Sequence, residues 1–170
     1  MPIAADRRTL LLAVLAGTAV SGPVPGVTAP CRRTFDRTAY DRYIGLMNAG
    51  DLRFVNYYAD DIRFVMNLRG RAAVLDFYAR QRPYVRERLR VDFFCSDKTG
   101  AAARVVSEIR CIQDCDDTRI FGRSLKAGDV QQVRGCLLYV LDARGLIAAI
   151  EGSPPEILRP WGNDRQSITP

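Results

Sequence analysis

The sequence predicts an α+β fold, with helices gathered on one face of a strongly curved, mostly antiparallel sheet. Three observations carry that expectation. Apolar residues recur at helical spacing in the first half of the chain, they alternate with polar ones in the second half, and short turn signals separate the alternating runs. Helices followed by antiparallel strands pack as two layers around one core.

Tyr40, Tyr43, Ile44 and Met47 fall at i, i+3, i+4 and i+7, the stripe of a first amphipathic helix. Asn48-Ala49-Gly50-Asp51 ends it, and Asp51 is placed to cap a short second helix that carries Leu52, Val55 and Tyr58 inward. Asp60-Asp61 reads as a turn, after which Ile62, Phe64 and Met66 alternate with Arg63, Val65 and Asn67 as a short strand. Gly70 leads into a third helix from Arg71 to Gln81 with Val74, Phe77 and Tyr78 on its apolar face, and Pro83 stops it. Strands are expected over residues 89–96 and 102–112 across the turn Asp97-Lys98-Thr99-Gly100. Further strands are expected at 118–125, 130–142 and 146–151, around Lys126-Ala127-Gly128-Asp129 and Ala143-Arg144-Gly145.

With 170 residues the chain suits one domain with a proper core. The net charge of +6 comes almost wholly from arginine, Lys98 and Lys126 being the only lysines. The densest basic stretch, residues 80–90, is interrupted by Pro83 and Glu87 and reads as a helix end and loop, so no nucleic-acid partner is expected. The chain contains no histidine, which removes Ser-His and Cys-His nucleophile systems and every histidine metal site. Proton transfer must then fall to carboxylates, tyrosines, cysteines or lysines, and neither a metal nor an organic cofactor is expected.

Arg7 and Arg8 stand directly before an apolar run at residues 10–20, too short to span a bilayer and followed by the helix-breaking segment 22–30. This is the pattern of an export signal, twin-arginine-like or of the general secretory type, and it predicts a periplasmic protein with no stable membrane anchor after cleavage. The expected division is a signal and linker at 1–29, a folded domain at 30–155 and a loosely ordered tail at 156–170. An oxidising compartment lets Cys31, Cys95, Cys111, Cys115 and Cys136 pair, with one left over and the connectivity open.

The stretch from Tyr43 to Tyr78, with Asn48-Ala49-Gly50-Asp51, Tyr58-Ala59-Asp60-Asp61, Gly70-Arg71 and Phe77-Tyr78, and the later Asp142-Ala143-Arg144-Gly145-Leu146-Ile147, resembles the SnoaL-like and nuclear transport factor 2-like superfamily. Ketosteroid isomerases, polyketide cyclases and limonene epoxide hydrolases share that fold. The resemblance implies a cone-shaped domain enclosing an apolar pocket, with polar groups inside it doing the chemistry. The isomerase aspartate position reads Val65-Met66-Asn67 here, without a carboxylate, and Asn67 matches the water-holding asparagine of the epoxide hydrolases. The Arg-x-Asp pair of those hydrolases falls on Ile109 and Cys111, and their last aspartate on Gly152. A slip of one residue would bring Glu108 and Arg110 inward instead, although Val105, Ser107, Ile109 and Cys111 form the more apolar set. Glu151, Glu108 and Arg110 are therefore the candidate catalytic residues, and Asn67, Tyr58 and Tyr139 the candidate substrate-binding ones. The implied function is cofactor-free acid/base chemistry on a small apolar molecule, or else binding in the same pocket, in a homodimer formed through the sheet.

Overall fold

The computed structural model describes residues 35–163, so the expected signal segment and Cys31 lie outside the described residues. Helix α1 spans Arg37–Asn48; its N-cap Asp36 accepts a 2.9 Å hydrogen bond from the Ala39 amide, and Tyr40, Tyr43 and Ile44 are buried as the stripe requires. Asp51 caps a 3₁₀ helix over Leu52–Tyr57. Strand β1 (Tyr58–Phe64) and the two-residue β2 (Leu68–Arg69) form a hairpin, followed by α2 (Arg71–Gln81), β3 (Val85–Ser96) and β4 (Gly100–Cys111). The four-residue helix α3 (Thr118–Phe121) precedes β5 (Asp129–Leu141), β6 (Ile147–Gly152) and β7 (Glu156–Asn163).

The strands form one sheet in the order β2-β1-β6-β5-β4-β3, with β7 also paired to β5. Only β1 and β6 run parallel; the other pairings are antiparallel. Along β5 the neighbour changes, because Leu137 pairs with Gly152 of β6 while Arg134 pairs with Glu156 of β7. Ser153-Pro154-Pro155 bridges the two partners, and proline suits a point where strand pairing is interrupted.

The core lies between the helices and the inner face of this sheet, where Tyr40, Tyr43, Phe54, Tyr58, Ile62, Phe64, Val74 and Tyr139 pack together. Alternation on β4 decides which side chains join it: Ala101, Ala103 and Val105 face inward, and Arg104 is exposed between them. The end of α1 also closes a sheet edge. Asn48 donates from Nδ2 to the Leu89 carbonyl at 3.0 Å and accepts the Leu89 amide on Oδ1 at 2.6 Å, copying a strand partner on the otherwise free side of β3.

Four expectations are corrected. Asp60 and Asp61 are inside β1 rather than in a turn; a register shift between Tyr58 and Arg63 against β6 lets both face solvent, and Asp60 pairs with Arg71 at 3.1 Å. The strand expected to run on through Asn67 stops at Phe64, because Met66 and Asn67 take left-handed backbone angles, φ 64° and 59°, that fold the chain back into β2. Residues 118–125 do not form a strand: Asp117 caps the helix α3, and the left-handed Gly122 ends it. The segment expected to be a loose tail supplies β7, with Trp161 packed against Phe121 beside Val85, Cys111 and Leu125.

Candidate functional site

A cavity of about 290 Å³ opens between the helices and the inner face of the sheet. Helix α1 lines it with Tyr43, Ile44 and Met47, α2 with Tyr78, β4 with Val105 and Ser107, and β5 with Val133, Gly135, Leu137 and Tyr139. Met66, Ser153 and Pro155, all exposed, stand at its rim. The β3 contribution is Leu89 and Glu87, and Glu87 is the carboxylate of this cavity.

Glu87 comes inward by strand alternation, on the same face as Leu89 and opposite to the exposed Arg86, Arg88 and Arg90. Ser107 of the neighbouring strand, itself buried, donates from Oγ to Glu87 Oε1 at 2.6 Å. The residue keeps intermediate exposure, and that exposure opens onto the two cavities it lines, the inner one and a second of about 380 Å³ bordered by Arg82 and Arg86. Burial raises the Glu87 carboxyl above the ordinary glutamate range, and the Ser107 hydrogen bond offsets part of the rise.

Phenols surround this carboxyl. Tyr43 and Tyr58 share a hydrogen bond at 2.7 Å, and Tyr40 and Tyr139 share another at 3.2 Å. Burial raises all four together with Tyr78, and the Glu87 charge adds to the rise at Tyr43, Tyr58 and Tyr78. In each pair one hydroxyl donates to the other, which leaves one O–H per pair to donate elsewhere, and the phenols hold their protons at any ordinary pH.

The residues singled out from sequence are only partly brought together. Tyr139 lines the cavity, and Tyr58 stands just behind its wall, reached through Tyr43. Glu151 does not enter: β6 pairs it with Leu138 on the outer face, its side chain is 59% exposed, and Arg63 lies 3.7 Å away. Glu108 and Arg110 form a 3.7 Å pair on the face of β4 opposite Ser107, and Gln132 also donates to Glu108 at 2.8 Å. Desolvating such a pair would cost several kcal/mol, so the chain turns the apolar set inward. Asn67 sits outside in a shallow surface hollow with Arg63 and Glu151.

Glu87 was missed because it falls in the basic stretch at 80–90, where it reads as one charge among arginines. The signal that finds it is period-two alternation: Val85, Glu87, Leu89 and Val91 share a face whose other members are apolar. The conspicuous Pro83 masks a strand that already begins at Val85.

Comparison with solved structures bears on the fold. A Δ5-3-ketosteroid isomerase from Mycobacterium sp. superposes with a TM-score of 0.54 at 22% identity, over 71% of this chain and 95% of that one. The fold is that of the SnoaL-like and nuclear transport factor 2-like proteins. A SnoaL-like polyketide cyclase from Agrobacterium tumefaciens matches over 73% of this chain and 92% of that one, with a TM-score of 0.54 at 16% identity. A computationally designed 17-OHP binder matches over 72% and 94%, with a TM-score of 0.56 at 17% identity. No protein-family model and no curated protein matches the sequence. The SnoaL-like fold places the cone and its cavity; the residues inside it are this chain's own.

Proposed function

We propose that this protein is a small-molecule enzyme of the SnoaL/ketosteroid-isomerase-like type, carrying out acid/base chemistry with its own side chains on an apolar substrate that bears a carbonyl or similar oxygen. The observation that carries the proposal is Glu87, a carboxylate hydrogen-bonded to Ser107 inside an otherwise apolar cavity. Its pKa, raised by burial above the ordinary glutamate range, suits a group that both takes and returns a proton. Glu87 would remove a proton from the carbon α to the substrate carbonyl, the C–H electron pair would form a new carbon–carbon double bond as the carbonyl π pair moves onto oxygen, and a cavity phenol, Tyr43 or Tyr139, would hold the resulting oxyanion by hydrogen bonding. Return of the proton to a different carbon gives isomerisation; attack of the enolate carbon on a second carbonyl of the same molecule, whose π pair moves to its oxygen and takes up the proton held by Glu87, gives cyclisation.

A second function, non-catalytic binding, is favoured by one observation: most of the cavity lining is apolar and Glu87 already has a protein partner. Incubation with a panel of steroids, terpenoid epoxides and aromatic polyketides, followed by native mass spectrometry and chromatography, separates the two. An enzyme returns an isomer or a product of altered mass, and Glu87→Gln lowers its rate by about 10²- to 10⁴-fold. Ligand recovered unchanged from both proteins means a carrier.

Export to the periplasm is proposed on the twin arginine and apolar run at residues 7–20. A homodimer is proposed on the outer face of the sheet, where Phe93, Leu138 and Val140 are 51%, 55% and 41% exposed.

A further inference from the structure

Strand interiors disfavour glycine, which adds backbone entropy cost and no side-chain packing. Strands β4, β5, β6 and β7 each carry one; Gly162, near the end of β7, also has open space at its Cβ but does not line the cavity, and two of the other three have a steric reason. At Gly100 a Cβ would collide with the Tyr139 carbonyl oxygen. At Gly152 it would stand 3.0 Å from Leu137 Cδ2 and 3.2 Å from the Cys136 carbonyl oxygen.

Gly135 differs. A Cβ built there meets nothing within 4 Å. Its backbone lies outside the left-handed region, so any side chain is conformationally admissible. The ladder between β4 and β5 passes through it without a register break, Gly135 standing opposite Val105. A left-handed turn, a bulge against β4 and close packing are therefore not its reason. What remains is its position: Gly135 faces the inner cavity between Val133 and Leu137, at the point where β5 exchanges β6 for β7 as its neighbour. A strand glycine of this kind marks a place where another molecule approaches the backbone.

We propose that Gly135 is a specificity-determining residue: its missing side chain leaves bare β5 backbone against which the broadest part of the ligand lies, and so sets the width of molecule the cavity accepts. The proposal rests on the cavity being the ligand site. Alanine at this position narrows the cavity slightly, and leucine puts a branched side chain into it beside Val105, its partner on β4.

The test compares the wild type with Gly135→Ala and Gly135→Leu, measuring affinity for a phenanthrol and for phenol by titration calorimetry, and the melting temperature without ligand. The wild type is expected to bind the phenanthrol more tightly. Gly135→Leu then weakens phenanthrol binding about tenfold or more while phenol affinity changes by less than about threefold. Gly135→Ala, relieved of a strand glycine, melts about 2 °C higher. Equal losses for both phenols, or no loss for either, overturn the proposal. So does a lower melting temperature for Gly135→Ala, since that outcome means the glycine serves the curvature of the sheet. Absence of binding in the wild type strikes at the cavity itself and removes the proposed function together with this inference; intact wild-type binding with an unaffected Gly135→Leu protein sinks this inference alone.

Discussion

The two faces of β4 carry polar residues to opposite ends. On the outer face Glu108 and Arg110 sit 3.7 Å apart with side chains 36% and 43% exposed, and water remains available to both. On the inner face Ser107 meets Glu87 at 2.6 Å inside the cavity. The outer pair is a surface ion pair of the kind that contributes about 1 kcal/mol or less. The inner pair is largely withdrawn from bulk water, and burial makes its carboxyl harder to ionise although the Ser107 hydroxyl offsets part of that rise. A carboxylate's capacity for chemistry here follows from which face of the strand it occupies, and neighbouring residues one step apart receive opposite answers.

The largest expected effect comes from placing a charge on each face in turn. Val105→Asp puts a second carboxylate among core residues in the cavity that Glu87 lines and is expected to destabilise the fold by about 3 kcal/mol or more. Arg104→Asp, one residue away and exposed, should cost less than about 1 kcal/mol. Urea unfolding of both variants reads the contrast directly, and equal losses would mean that the two faces are not distinguished by solvent.

Next is the pH dependence of stability. Because the folded pKa of Glu87 is raised, the folded state holds a proton more tightly than the unfolded chain. Its contribution to stability is complete below the ordinary glutamate pKa of about 4.3 and is lost as pH rises through the raised value. Glu87→Gln should remove that decline and melt higher than the wild type at pH values above it. Superimposable stability profiles for wild type and Glu87→Gln would contradict a desolvated carboxyl.

A smaller and sharper change is expected from Ser107→Ala. The hydrogen bond from Ser107 lowers the Glu87 pKa against the rise from burial, so removing it should shift that titration upward, and any rate limb that depends on ionised Glu87 should move to higher pH. Infrared detection of the protonated carboxyl across a pH series measures the shift; movement to lower pH would reverse the assigned cause.

The smallest effects belong to the outer face. Leu138→Asp is expected to convert a dimer to a monomer in light-scattering measurements while changing monomer stability by only a few tenths of a kcal/mol, since Leu138 is exposed. A double-mutant cycle on Glu108 and Arg110 should return a coupling below about 1 kcal/mol. A coupling of several kcal/mol would show that this pair is desolvated after all, by a partner covering the sheet.

Much of the architecture is local and was therefore legible. The stripe of Tyr40, Tyr43 and Ile44, the cap at Asp51, the limits of α2 at Arg71 and Gln81, and the turn in which Asp142 accepts from the Arg144 and Leu146 amides all depend on residues within a few positions of one another. The candidate site was less legible, because a strand's side chains can be assigned to two faces but the identity of the inner face depends on neighbours distant in sequence. Val105 and Ser107 turn inward because that face packs on α1, and Glu87 follows them because β3 pairs with β4 at Leu89 and Ser107. The tail was misjudged for the same reason: nothing within residues 156–163 announces a strand, and it becomes one only because β5 extends past β6 and offers free backbone groups.

By itself the sequence determined the α+β class, the limits of α2, the turns at Asp97 and Asp142 and the exclusion of histidine chemistry, since each is set by short-range sterics, spacing or composition. Only the tertiary structure decided that Glu87 and not Glu108 or Glu151 faces the cavity, that Ser107 holds it, and that Gly135 leaves the wall beside it bare. Those outcomes depend on pairings between strands far apart in the chain, and the free energy that selects them, the desolvation of charge against the burial of apolar surface, exists only once both faces of the sheet have formed.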